Sequence, residues 1–151
     1  MTCPDGGARL AVVPSDETLV DRLKTVFAEE RSIRLALLFG SEARGRSSTR
    51  SDVDIAILPV DPEIPLREEL ELQQRLELAC GRNVDLVRID RADVLLGWQI
   101  ARDGVVLAAP DRRDLVRFLA RAALDHADLE PMMTRAGETF RRRLVERSQA
   151  T

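Results

Sequence analysis

The feature that most constrains this chain is a short pattern. Gly40-Ser41 is followed, after ten intervening residues, by Asp52-Val53-Asp54. Ile33 to Phe39 (I-R-L-A-L-L-F) is a short apolar run that ends at the glycine and reads as a buried strand. Asp52 to Leu58 (D-V-D-I-A-I-L) alternates and then turns apolar, which reads as a second strand. Side chains two apart on a strand share a face, so Asp52 and Asp54 point together while Val53 and Ile55 enter the core. Two carboxylates on one face repel and call for a cation between them. Hard oxygen donors beside phosphate favour Mg²⁺ or Mn²⁺.

The segment between the strands supplies a phosphate grip. A glycine after a strand lets backbone N–H groups come close to phosphate oxygens. The Ser41 hydroxyl adds a donor, and Arg44 adds a charge-assisted one. Arg46 and Arg50 read equally well as helpers or as solvated residues. A third carboxylate completes a two-metal site, and Asp85 is the best candidate. It sits between Val84 and Leu86 in a third strand (Asn83 to Ile89), where strand propensity disfavours aspartate and where, if buried, it needs a cation or donors. In such a set two cations, roughly 3.5–4 Å apart, hold nucleophile and triphosphate in line. Asp52 and Asp54 would bridge both, and Asp85 would serve the one at the nucleophile.

Around these strands the pattern predicts an α/β chain of the α+β kind, a small mixed sheet with helices packed against it. Residues 1–14 read as a loose arm or short extra strand, 15–109 as the catalytic core and 110–151 as C-terminal helices, all in one domain of 151 residues. Ser15 is the expected cap of a first helix with Leu19, Leu23, Val26 and Phe27 on one face. Pro65 opens a helix whose inward stripe is Leu72, Leu76, Ala79 and Cys80, and Gly81 closes it. Ala92 to Arg102 reads as a helix with Trp98 packed, and Val105 to Ala109 as a fourth strand. Two further helices follow, one marked by Leu115, Phe118, Leu119 and Ala122, the other by Met133, Ala136, Phe140 and Leu144. Met132 and Met133 read as core filling, His126 as a surface residue, and Arg141 to Arg143 as a solvated helix end.

Composition excludes several classes. Hydrophobic residues make up 44% of the chain, yet no apolar run approaches the ~20 residues of a membrane span. Nor does the N-terminus have the form of a secretory signal, so a cytoplasmic location is expected. The net charge of -3 argues against an extensive nucleic-acid surface. Cys3 and Cys80, with one histidine, make neither a closed zinc site nor a disulfide framework.

The segment G-S-E-A-R-G-R-S-S-T-R-S-D-V-D-I-A-I resembles the signature of the DNA polymerase beta-like nucleotidyltransferase superfamily. The A-R-G after the serine and Ser51 before Asp52 resemble its minimal branch, the MNT proteins of HEPN/MNT toxin–antitoxin systems. N-V-D-L-V resembles the strand that bears the third aspartate. The resemblance runs from about Ile33 to Ala109 and implies Mg²⁺-dependent transfer of a nucleoside monophosphate to a hydroxyl. For the minimal branch it implies ATP as donor and a tyrosine of a co-encoded HEPN ribonuclease toxin as acceptor, with the two proteins forming a hetero-oligomer. It adds Ser51 to Gly40, Ser41 and Arg44 as nucleotide-binding residues. The alternatives are a noncatalytic subunit that neutralises its partner by covering it, and a transferase acting on RNA or a small molecule.

Overall fold

The computed structural model describes residues 18–46, 48 and 50–149. The expected arm and the Ser15 cap lie outside them. The first helix, α1 (Leu19–Ala28), is capped instead by Thr18, whose hydroxyl accepts from Asp21 N while the Asp21 carboxylate accepts from Thr18 N. This reciprocal box satisfies two otherwise orphaned N–H groups.

β1 (Ile33–Phe39) runs directly into α2 (Gly40–Ala43), a single turn, and the chain returns as β2 (Val53–Pro59). α3 (Leu66–Cys80) then leads to β3 (Val84–Arg88). A 3-10 turn at Ile89–Arg91 precedes α4 (Val94–Asp103), β4 (Val105–Ala108) and α5 (Arg112–Gln149). Gly81 ends α3 in the left-handed region (φ 68°), as expected of a C-terminal glycine. Asp93 caps α4 by accepting from Leu96 N.

The four strands are ordered β3-β2-β1-β4. β1 is antiparallel to both β2 and β4, and β2 is parallel to β3. The expected mixed sheet with flanking helices is therefore observed. The β2-α3-β3 crossover makes the parallel pair, and a strand joined to its parallel neighbour needs such a connection. Alternation splits the core in two. Ala36, Leu38, Val53, Ile55, Ile57 and Val84 meet α1 and α3, through Leu23, Phe27, Leu72 and Leu76. Leu35, Leu37, Phe39 and Ala56 meet α4 and the first half of α5, through Ile100, Leu115 and Phe118. Both faces of the sheet are covered, which explains why β1 and β2 read as nearly continuous apolar runs.

The C-terminal region differs from expectation: it is one helix of 38 residues rather than two. Pro131 removes one backbone donor without ending it. The described residues from Glu130 to Glu146 are all exposed. Met132 (66%) and Met133 (48%) therefore fill no core in this chain. Nor is His126 a bare surface residue: its ring stacks on Trp98 of α4 at 4.6 Å and 20°. Periodicity records which face of a helix is apolar, not whether this chain covers it.

The base of α5 is fixed to the sheet by a two-pronged ion pair. Arg34 of β1 donates through Nε (3.1 Å) and Nη2 (2.6 Å) to the Asp114 carboxylate. These bonds hold Asp114 below the ordinary carboxylate range. Asp114→Ala should lower stability modestly, since the arginine is partly exposed and the pair is screened. A carboxyl depressed on folding stabilises above its unfolded pKa and loses that effect as pH falls. Urea unfolding should therefore separate wild type and variant most at pH 7 and bring them closer as pH falls below the ordinary carboxylate range.

Candidate active site

Parallel register brings the expected carboxylates to one end and one face of the sheet. Asp54 lies directly opposite Asp85, on neighbouring strands roughly 4.8 Å apart. Val53 and Ile55 on the other face are fully buried, so the predicted alternation of β2 holds. Asp52 stands one residue ahead of β2, exposed, and its Oδ1 accepts from Asn83 Nδ2 at 3.4 Å. Asp85 is exposed rather than buried, because β3 is the edge strand. Its place beside Asp54, not desolvation, is what asks for a cation.

Asp54 is partly buried, and its pKa is raised. Burial is the largest cause, the Asp85 and Asp52 charges add to it, and Arg44 opposes it. The three aspartates thus interact as like charges with incomplete compensation. Among the described residues, no three His, Cys, Asp or Glu side chains are gathered into a ready-made metal cage. The fit to a divalent cation rests on the donors themselves: register-paired carboxylates, all hard oxygen ligands, whose mutual repulsion a cation would relieve.

Gly40 has a conformational and steric reason to be glycine. It has φ 72°, and a β-carbon there would overlap the Asp54 carboxylate. The glycine both turns the chain out of β1 and leaves room for the aspartate behind it. Ser41 follows within the α2 turn, and its carbonyl accepts from Arg46 N at 3.0 Å. Arg44 ends that turn, half-exposed, with Nη1 3.9 Å from Asp103 Oδ2. Asp103 is held more closely by Arg102 at 2.7 Å, so Arg44 is only loosely engaged. Ser51 is part of the loop's own scaffold: its hydroxyl donates to Ser48 O (2.8 Å) and accepts from Arg82 Nη2 (3.0 Å).

Arg82 was not among the residues expected from the sequence, yet it reaches the loop from the start of β3. The signal was available in outline. A strand-helix-strand order implies parallel neighbours, which puts the residue just before β3 beside the residue just before β2. The loop contacts themselves have no pattern in the sequence. A cleft of about 480 Å³ lies elsewhere, between α4, α5 and the sheet, and is lined by Arg34, Asp114, Arg117 and Phe118, among others. None of the expected site residues lines it. A second cleft, of about 640 Å³ and lined by Phe27, Ile33 and Asp114 among others, also lacks them.

The sheet order and the Gly40-Ser41 turn facing paired aspartates define a nucleotidyltransferase-like fold. Residues 21–113 match the family described as polymerase beta, nucleotidyltransferase. The chain belongs to that family. It is 34% identical over 82 residues to the protein adenylyltransferase MntA of Shewanella oneidensis, a match covering 54% of this chain and 58% of that relative. It superimposes with a TM-score of 0.66 on a chain from a toxin–antitoxin crystal structure with AMP-PNP, at 24% identity, covering 80% of this chain and 97% of the other. A chain of the complex between a tri-AMPylated S. oneidensis HEPN toxin and an MNT antitoxin matches at TM-score 0.61 and 23% identity, covering 81% and 95%. At those identities the two structural matches show the fold.

The raised pKa of Asp54 yields a stability test. A carboxyl raised on folding binds its proton more tightly in the folded state, so its effect on stability is most favourable at low pH and worsens as pH rises through that pKa. In EDTA at pH 7, Asp54→Asn should melt at a higher temperature than wild type, and the difference should vanish as wild-type Asp54 is protonated toward pH 3. Differential scanning calorimetry across that range measures it.

Proposed function

We propose that this chain is a Mg²⁺-dependent protein adenylyltransferase that acts as an antitoxin in the cytoplasm. In this reading it transfers AMP from ATP to a tyrosine hydroxyl of a cognate HEPN ribonuclease toxin and so silences it. The observation that carries the reading is the pairing of Asp54 with Asp85 beside Asp52, facing the Gly40-Ser41 turn. The similarity to MntA, which is named a protein adenylyltransferase, supports AMP as the transferred group. The fold shared with a chain from a complex holding AMPylated HEPN toxin supports the acceptor.

Each residue has a part in this mechanism. The Gly40-Ser41 backbone and the Ser41 hydroxyl hold the triphosphate, with Arg44 adding positive charge and Ser51 shaping the loop. Asp52, Asp54 and Asp85 would hold the divalent cations, two in number. Bound there, such ions neutralise phosphate charge and lower the pKa of an attacking hydroxyl. Asp85, on the exposed edge strand, faces the acceptor and takes the hydroxyl proton. The acceptor oxygen bonds to the α-phosphorus as the bond to pyrophosphate breaks. These 151 residues contain no tyrosine, which suits an acceptor on another molecule.

The exposed apolar residues of α5, including Met132, Met133 and Phe140, also suit a partner-binding subunit that neutralises by contact alone. One experiment separates the two readings: α-³²P-ATP, Mg²⁺ and the co-encoded partner are incubated with wild type or with Asp52→Ala/Asp54→Ala. Wild type should label a partner tyrosine, and the double variant should fall by about 10³-fold or more, the scale of losing electrostatic stabilisation of the transition state. Equal labelling by both would refute the site. Neutralisation by both without labelling would establish the binding subunit instead.

A further inference from the structure

The guanidinium of Arg82 is nearly enclosed by groups that accept from it. Nη1 donates to Glu42 Oε2 at 2.9 Å. Nε and Nη2 both donate to Ser51 O, at 3.0 and 2.6 Å, and Nη2 also reaches Ser51 Oγ (3.0 Å) and Ser48 O (3.3 Å). The Arg82 side chain is 17% exposed and Glu42 18%. One planar group therefore joins α2, the loop ahead of Asp52, and the start of β3. The chain on either side of it is also fixed. Gly81 turns out of α3 with positive φ, Asn83 O accepts from Val53 N at 2.9 Å, and Glu77 accepts from Val84 N at 3.2 Å.

These contacts leave Arg82 little capacity for a phosphate, because every one of its nitrogens already donates to the protein and its charge is met by Glu42. What they do is set the distance between the two halves of the site. The Gly40-Ser41 turn precedes Glu42, and Asp52 follows Ser51, so the arginine holds the residue beside each. Only a fork with several donors in one plane spans both ends. An ammonium is a point charge and cannot.

We infer that Arg82 is a positioning residue for nucleotidyl transfer, locking the phosphate-binding turn against the carboxylates without touching a reacting atom. The inference rests on the transferase reading above. A displacement of about 1 Å between reacting groups costs roughly 10²-fold in rate. Arg82→Lys, which keeps the charge, should therefore lower kcat by about 10- to 100-fold. KM for ATP should change far less, since the turn itself is intact.

The test pairs that kinetic split with amide hydrogen exchange on the protein alone, read by NMR. Gly45, Arg46 and Ser51 donate to Glu42 O, Ser41 O and Ser48 O, so their amides report the loop. In Arg82→Lys these three should exchange faster while central β1 amides stay protected, showing that the fold persists. Glu42→Gln should give a smaller effect in the same direction, and the double variant should be non-additive, as for partners in one network. An active wild type with an equally active Arg82→Lys would overturn the inference. So would a kcat loss with unchanged exchange at those three amides. A wild type that transfers no nucleotide would sink the transferase reading and the positioning role with it, while the exchange data would still show whether the loop is clamped.

Discussion

The parallel register of β2 and β3 is the constraint on which the rest depends. It sets Asp54 opposite Asp85, and the sheet's alternation then sends both side chains to one face. A slip of one residue would turn Asp54 into the core and expose Val53. The apolar residues that forbid the slip are Val53, Ile55 and Ile57, all fully buried against α1 and α3. Burial on one face thus fixes where the charges stand on the other. Packing energy maintains an arrangement of like charges that the aspartates alone would not adopt.

The elements were largely legible because both sheet faces are covered. β1 was readable over its full observed length from one apolar run, and the α3 boundaries followed from Pro65 and Gly81. The Asp52/Asp54 pair was legible from period-two alternation, and Asp85 from an aspartate among strand-forming residues. Its exposure was not, because edge position is a property of strand order. α5 was misread as two helices: Pro131 usually ends or kinks a helix, and here it does not end one. Thr18 rather than Ser15 caps α1, since both residue types suit that place and only the Asp21 partner three residues on decides it.

What sequence could not reveal were contacts between residues distant in the chain. Arg82 reaches Glu42 across 40 positions, and Arg34 reaches Asp114 across 80. Each arginine joins two elements with a fork of hydrogen bonds, one beside the proposed site and one at the root of α5. The segment between β1 and β2 is short on apolar residues, and its described residues are tied to the rest by such polar contacts. Gly40 belongs to the same logic, because the room it leaves is filled by a side chain fourteen residues on.

In the proposed mechanism Asp52, Asp54 and Asp85 act together on a divalent cation. Titration of Mn²⁺ into the protein with a non-hydrolysable ATP analogue, followed by electron paramagnetic resonance, measures this without any acceptor. Asp54→Asn should weaken Mn²⁺ binding by at least the roughly 10- to 100-fold typical of outer-shell changes, and Asp85→Asn should weaken it too. Equal Mn²⁺ binding by wild type and both variants would contradict the account.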